Sequence, residues 1–144
     1  MPHQLQALWL HNPETMPSLL FRSVRDTLMT LLKDERYLGA LPGILMSLHT
    51  WGRTLSLHPH LHCLVTAGGL RDGQWIETRK DYLLPVQVVK ALYRGKLLSA
   101  ICQAVEDQRL RLPADQTPQQ VKNLLNLLGR KTKNLLNHWA YVNA

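Results

Sequence analysis

Two histidines in the segment LHPHLHCLV are spaced so that they could bind one cation. They are His60 and His62, and a third histidine, His58, precedes them at the same spacing. On a β-strand, side chains two residues apart point to the same side, so two imidazole nitrogens can face a single ion. The same spacing also fits an edge of solvated or hydrogen-bonded histidines, and the spacing alone leaves both interpretations open.

A third ligand must come from another part of the fold. His49 is one candidate, provided that its strand lies beside that of His60 and His62, and His58 is another. No Asp or Glu lies between Ala40 and Arg71, so no oxygen ligand is evident nearby. Ligands that are all imidazoles favour zinc or another transition metal over magnesium.

The elements that must position these histidines can be predicted from periodicity and from turn residues. Apolar residues at helical spacing predict a first helix over 17–33, and a proline start and a capping box predict two later helices. Short apolar or alternating runs predict strands, with turns at Gly68-Gly69 and Asp72-Gly73. The predicted order is helix 17–33, strand 43–49, strand 60–67, returning strand 74–77, helix 85–108 and helix 117–129. This order predicts an α+β fold in which a small antiparallel sheet carries the histidines and is flanked by helices.

The composition indicates which class of partner and which cellular compartment to expect. The 144 residues include 17 Lys and Arg against 10 Asp and Glu, a formal charge of +7, which favours a polyanionic partner. The basic excess lies in the second half, and the candidates for DNA contact there are Arg94, Lys96, Arg130, Lys131 and Lys133. No apolar run is long enough to cross a membrane. Two cysteines, Cys63 and Cys102, predict buried thiols in a reducing cytoplasm.

A long stretch of the chain resembles a known family. The segment YLGALPGILMSLHTWGRTLSLHPHLHCLVTAGGL is similar to the core of the rolling-circle, two-tyrosine insertion-sequence transposases of the HUH endonuclease superfamily. Family members have a comparable LHTWG, HPHLHCLV and Gly-Gly turn in the same order. The resemblance covers roughly residues 2–131. It implies a partial HUH-type catalytic domain over 1–131, with an RRM-like core that is incomplete, and a non-matching tail over 132–144.

The resemblance implies a chemistry. His60 and His62 would bind a divalent cation, magnesium or manganese, with zinc as the alternative from the ligand types. The cation would polarise a phosphate of single-stranded DNA that a tyrosine hydroxyl attacks, which gives a 5′-phosphotyrosine and a free 3′-hydroxyl. The third ligand, His49 or His58, is not specified by the resemblance.

The sequence departs from the family at the nucleophile. The family has two tyrosines separated by three residues, and no such pair occurs among Tyr37, Tyr82, Tyr93 and Tyr141. Of these, Tyr141 alone follows the GRK segment that precedes the family's tyrosines, so it is the catalytic candidate. We therefore expect a fragment that keeps the metal ligands for nicking and strand transfer and lacks the nucleophile. The alternatives are a non-catalytic single-stranded DNA-binding remnant and a zinc-binding structural protein.

Tryptophans are a second possible means of contacting DNA, because nucleobases stack on aromatic rings. Trp51 and Trp75 lie beside predicted strands or turns, so packing is the predicted role for both. For Trp9, packing and stacking are equally consistent with its position.

Overall fold

The chain folds into a three-stranded antiparallel sheet with helices on one side. A computed structural model describes residues 1–52, 55–78 and 83–130. A 3-10 turn over His3–Leu5 leads into the elements, which are α1 (Gln6–His11), α2 (Thr15–Leu32), β1 (Leu41–Trp51), β2 (Leu57–Arg71), β3 (Gln74–Glu77), α3 (Val86–Glu106) and α4 (Pro118–Gly129). The predicted α+β class is confirmed. No helix within these ranges is both long and apolar enough to cross a membrane.

The sheet has the strand order β1-β2-β3, and both pairings are antiparallel. The predicted hairpin between β2 and β3 is confirmed. Its two-residue turn places Asp72 at a φ of 52° and Gly73 at 76°, which is the type I′ geometry that matches strand twist.

The core lies between the sheet and the helical layer. Leu5, Leu97 and Ile101 are completely buried in a cluster of residues from α1, α2, α3 and α4, and Leu48 and Leu61 of the strands pack against it. A second cluster near the C-terminal end of α2 covers the other part of the strands, through Ile44 and Val65. The helices therefore cover one face of the sheet, the face to which alternate residues of β1 and β2 point.

The start of α4 has the predicted capping box. The Gln120 amide donates to the Thr117 hydroxyl at 3.3 Å, and the Thr117 amide donates to the Gln120 side-chain oxygen at 2.7 Å. Pro118 occupies the first turn, where its missing N–H costs no hydrogen bond.

Two predictions about local structure were wrong. Gly68 and Gly69 do not form a turn but lie within β2, where they allow close contact between strands. A Cβ on Gly68 would lie 2.5 Å from Trp75 Cζ2, and a Cβ on Gly69 would lie 2.5 Å from the carbonyl oxygen of Leu41.

The cysteines are also less buried than predicted: Cys63 is exposed and Cys102 is half-buried. On β2, Leu61 packs against one hydrophobic cluster and Val65 against the other. Cys63 lies between these two residues, at the division between the clusters.

Candidate metal centre

The three histidines that the structure brings together lie on the face of the sheet that the helices leave uncovered. In the register of β1 and β2, His49 is opposite His60, and Ser47 is opposite His62. Leu48 and Leu61, which are adjacent to these residues in sequence, point into the core. Alternation along each strand therefore directs His49, His60 and His62 to the opposite face. We call these three residues the histidine triad.

The side chains of the triad are close enough to share one ion. One ring nitrogen from each residue can be chosen so that all three lie within 4.8 Å of one another. The ring centroids of His49 and His62 are 4.2 Å apart, those of His60 and His62 are 5.0 Å apart, and those of His49 and His60 are 5.5 Å apart. His60 is half-buried, whereas His49 and His62 are exposed, so the site is open to solvent on one side.

Hydrogen bonding defines the tautomer of His60. Its Nδ1 lies 2.6 Å from the carbonyl oxygen of His58, and because a carbonyl only accepts hydrogen bonds, this Nδ1 must carry the proton. In the neutral ring, Nε2 is then the unprotonated nitrogen and is free to bind a metal. A hydrogen bond from the second ring nitrogen to a backbone carbonyl is the usual way in which a ligating histidine is oriented.

The contact between His60 and His62 fits a pair of metal ligands. Their Nε2 atoms are 3.1 Å apart. Two nitrogens bound to one ion at 2.0–2.1 Å would be separated by about 2.9 Å in octahedral and about 3.3 Å in tetrahedral geometry. The donor types and their spacing therefore fit a divalent cation.

The two candidates for the third ligand, His49 and His58, differ in position. His49 belongs to the triad. The imidazole of His58 is not part of the group, although its centroid is 5.3 Å from that of His60, and its backbone carbonyl holds His60 in place. Within the described part of the chain, no carboxylate joins the cluster.

The basic residues proposed from the sequence for DNA contact are dispersed. Lys96 is half-buried on α3 and lines a groove between α2 and α3, and Arg130 is exposed at the end of α4. Arg94 is only 7% exposed, and its Nη1 has no hydrogen-bond partner among the described residues. Because α3 packs on the covered face of the sheet, Arg94 and Lys96 lie on the side away from the triad. Lys131 and Lys133, with the rest of the predicted tail over 132–144, lie outside the described residues.

The tyrosines of the described ranges are also away from the triad. Tyr93 is 7% exposed in the core, and this burial raises its pKa above its usual range. Tyr37 is half-buried against the second hydrophobic cluster. Tyr82 and the catalytic candidate Tyr141 lie outside the described residues. Neither Tyr37 nor Tyr93 is therefore on the face that carries the histidines.

Sequence reasoning missed the apolar character of the uncovered face. Trp51 is 60% exposed and Trp75 is 54% exposed, and Leu45 and Leu64 are exposed even further. The prediction that Trp51 serves in packing was therefore wrong. Trp75 packs one edge of its ring against Gly68, and most of its remaining surface is exposed to solvent. Apolar residues occur at both inward and outward positions of β1, as in LPGILMSLHTW, and this departure from an alternating pattern could have indicated the surface.

Comparison with known proteins identifies relatives of the chain. Residues 43–140 match a family model described as "Putative transposase". The chain is 39% identical over 117 residues to "Putative transposase y4qJ" of Sinorhizobium fredii, which covers 80% of this chain and 29% of that protein. It is 30% identical over 160 aligned positions to "Transposase for insertion sequence element IS801" of Pseudomonas savastanoi pv. phaseolicola, which covers 96% of this chain and 37% of that protein. The chain thus spans about a third of the length of these curated relatives. No solved structure matches the chain.

Proposed function

Because the chain belongs to the "Putative transposase" family, we propose that it is the metal-binding part of a DNA transposase that nicks and joins single-stranded DNA in rolling-circle transposition. The observation that carries this proposal is the histidine triad on the uncovered face of the sheet. A metal bound there would be reachable by an extended phosphodiester chain without any movement of the helices. In this proposal, residues 1–131 are part of an HUH-type catalytic domain.

The triad supplies binding and orientation. When bound, the cation would act as a Lewis acid that stabilises charge on a scissile phosphate. The chain's own residues would hold that cation: His60 is oriented through the His58 carbonyl, the Nε2 of His62 lies 3.1 Å from that of His60, and a ring nitrogen of His49 lies within 4.8 Å of one from each. Three imidazoles without a carboxylate favour zinc or a similar transition metal, whereas the resemblance to the family implies magnesium or manganese.

The nucleophile is the part of the chemistry that this sequence does not provide in the family's form. No Tyr-x-x-x-Tyr pair occurs in the 144 residues. Tyr93 is enclosed on the covered side, where burial raises its pKa, so its hydroxyl cannot reach a phosphate at the triad. We therefore propose that the chain binds metal and single-stranded DNA but does not form a phosphotyrosine by itself.

The experiment that tests this proposal measures adduct formation and binding on the same samples. A labelled single-stranded oligonucleotide is incubated with the chain and Mn²⁺, Mg²⁺ or Zn²⁺, and one portion is run on a denaturing gel while the other is assayed for binding by fluorescence anisotropy. We expect no covalent adduct, salt-sensitive binding, and tighter binding when the metal is present. A covalent adduct would show that the chain contains its nucleophile, contrary to the proposal.

Matched variants connect the metal effect to the triad. His60→Ala with His62→Ala should abolish the increase in affinity that metal produces. His11→Ala should not, because His11 is an exposed histidine on α1 whose Nδ1 lies 2.8 Å from the carbonyl oxygen of Ala7 in the same helix. Binding that responds equally to metal in all three proteins would exclude the triad as the metal site.

A zinc-binding structural protein is the second candidate, and the all-histidine ligand set is the observation in its favour. It predicts that zinc raises the melting temperature and that the chain does not bind DNA at any salt concentration. A non-catalytic DNA-binding remnant would instead bind DNA to the same extent with and without metal. The two measurements above therefore separate the three functions.

A further inference from the structure

The uncovered face of the sheet has exposed apolar side chains on both sides of the histidine triad. On one side, Trp51 follows His49 by two residues on β1 and is 60% exposed. On the other side, Leu45 and Leu64 face each other across β1 and β2 and are 68% and 72% exposed. A surface of this kind on a water-soluble domain usually marks a place where something binds.

The order of these residues along the strands is fixed by the register. Leu45 pairs with Leu64, the next outward-facing pair is Ser47 with His62, and the pair after that is His49 with His60. Beyond this pair the register shifts, and Trp51 is opposite Leu57. The extra residue is on β2, and the alternation of exposed and half-buried residues along β1 continues through Trp51, so its side chain lies on the uncovered face about 7 Å beyond His49. The indole is therefore the first aromatic ring that a chain bound at the triad would meet.

The charge of this face is compatible with an anionic occupant. No Asp or Glu occurs between Ala40 and Arg71, the segment that supplies nearly all of β1 and β2. A phosphate near the triad would therefore meet no carboxylate from these strands. An exposed indole next to such a site is suited to nucleobases, because every base has a π-face that stacks on an aromatic ring regardless of sequence.

We propose that Trp51 stacks on a nucleobase next to the phosphate held at the triad, and that Leu45 and Leu64 form the apolar surface for the bases on the other side. The occupant of the uncovered face is then a single strand of nucleic acid that runs along the strands. This inference rests on the proposed function and adds to it the residues that contact bases.

The test measures binding without metal, so that it does not depend on the triad. A fluorescein-labelled oligothymidylate of about four nucleotides, the lower end of the site sizes of single-strand binding folds, is titrated with protein in EDTA at low salt. Trp51→Ala should weaken binding by about 5- to 150-fold, the range for the loss of one base stack. Trp51→Phe should restore most of the affinity, since a smaller ring still stacks. The dependence of affinity on salt should stay the same, because no phosphate contact is lost.

Trp75 provides the matched control. It is on the same face and similarly exposed, but it lies across from Leu70 and Leu41. That row is six residues from Ser47 on β1, or about 20 Å along the sheet. Trp75→Ala should therefore change the affinity for this short oligonucleotide by less than about twofold. An equal loss in both alanine variants, or no loss in Trp51→Ala, would overturn the proposal.

A second measurement identifies the nucleotide whose base stacks on Trp51. Abasic nucleotides are placed at each position of the oligonucleotide in turn. One of them should weaken binding to the wild-type chain and to Trp51→Phe, and the same position should cause little further loss in Trp51→Ala, because both changes remove one stack. Losses that add at every position would exclude stacking on Trp51.

Two further outcomes separate this inference from the proposed function. If the wild-type chain binds no oligonucleotide even at low salt, both proposals fail. If it binds equally well with and without Trp51, only the stacking role fails. Sedimentation of the protein alone is measured in parallel, and a change from dimer to monomer in Trp51→Ala would identify the face as a protein interface and overturn the proposal.

Discussion

Removal of the His49 imidazole is the most direct test of the metal site. His49 is the triad member that comes from β1, and its ring lies 4.2 Å from that of His62 and 5.5 Å from that of His60, between centroids. Structural zinc sites with four ligands bind with about 10–16 kcal/mol, or about 2.5–4 kcal/mol per ligand if the energy is shared equally. His49→Ala should therefore weaken zinc binding by about 100- to 1,000-fold.

Isothermal titration with Zn²⁺ and Mn²⁺ measures this loss, and His58→Ala is the informative comparison. The His58 carbonyl, which orients His60, remains in the alanine variant, so we expect a change of less than about threefold. His58→Ala that weakens binding as much as His49→Ala, or His49→Ala without effect, would refute the assignment of the third ligand. Circular dichroism of each variant checks that the fold is retained.

Two further predictions concern the scaffold. Gly95→Ala should raise the free energy of unfolding, measured by urea titration, by about 0.5–1 kcal/mol. Gly95 is in the interior of α3, and a Cβ there would meet nothing within 4 Å. A loss of stability would mean that this position of α3 needs a glycine for another reason. Arg36 lowers the pKa of Asp34 to about 2 from an ordinary value of 3.8, mainly through the hydrogen bond from its side chain and then through that from its backbone N–H. The contribution of this pair to the stability of the folded protein is therefore present above about pH 4 and is lost as the pH falls toward 2. Arg36→Ala should raise the midpoint of the Asp34 titration observed by NMR, and an unchanged midpoint would show that the pair does not form in solution.

Much of the fold could be predicted because its signals are local. The helix over 17–33 was predicted from apolar spacing and is observed at Thr15–Leu32. The hairpin was predicted from Asp72-Gly73, whose positive φ values a two-residue turn requires. In each case the residues that determine the element lie within the element itself, so no knowledge of its neighbours was needed.

The site could be predicted only in part because its geometry depends on strand pairing. The two histidines of β2 are related by alternation, which is visible in sequence. That His49 joins them depends on its register with His60, which is set by the core and by the turns together. Burial of Arg94 was missed for a similar reason: helical spacing does not show which side of α3 will be covered by other elements.

The same alternation that builds the core also places the histidine triad. Between the irregularities at Pro42/Ile44 and at His49/Trp51, β1 and β2 pair without interruption. In this regular segment Leu48 and Leu61 pack inward, and the residues next to them in sequence, His49 and His60, must point outward. A shift of one residue in either strand would bury a histidine and expose a leucine, at a cost of about 1.5–3 kcal/mol for the leucine alone. The hydrophobic core therefore holds the three imidazoles on one face of the sheet.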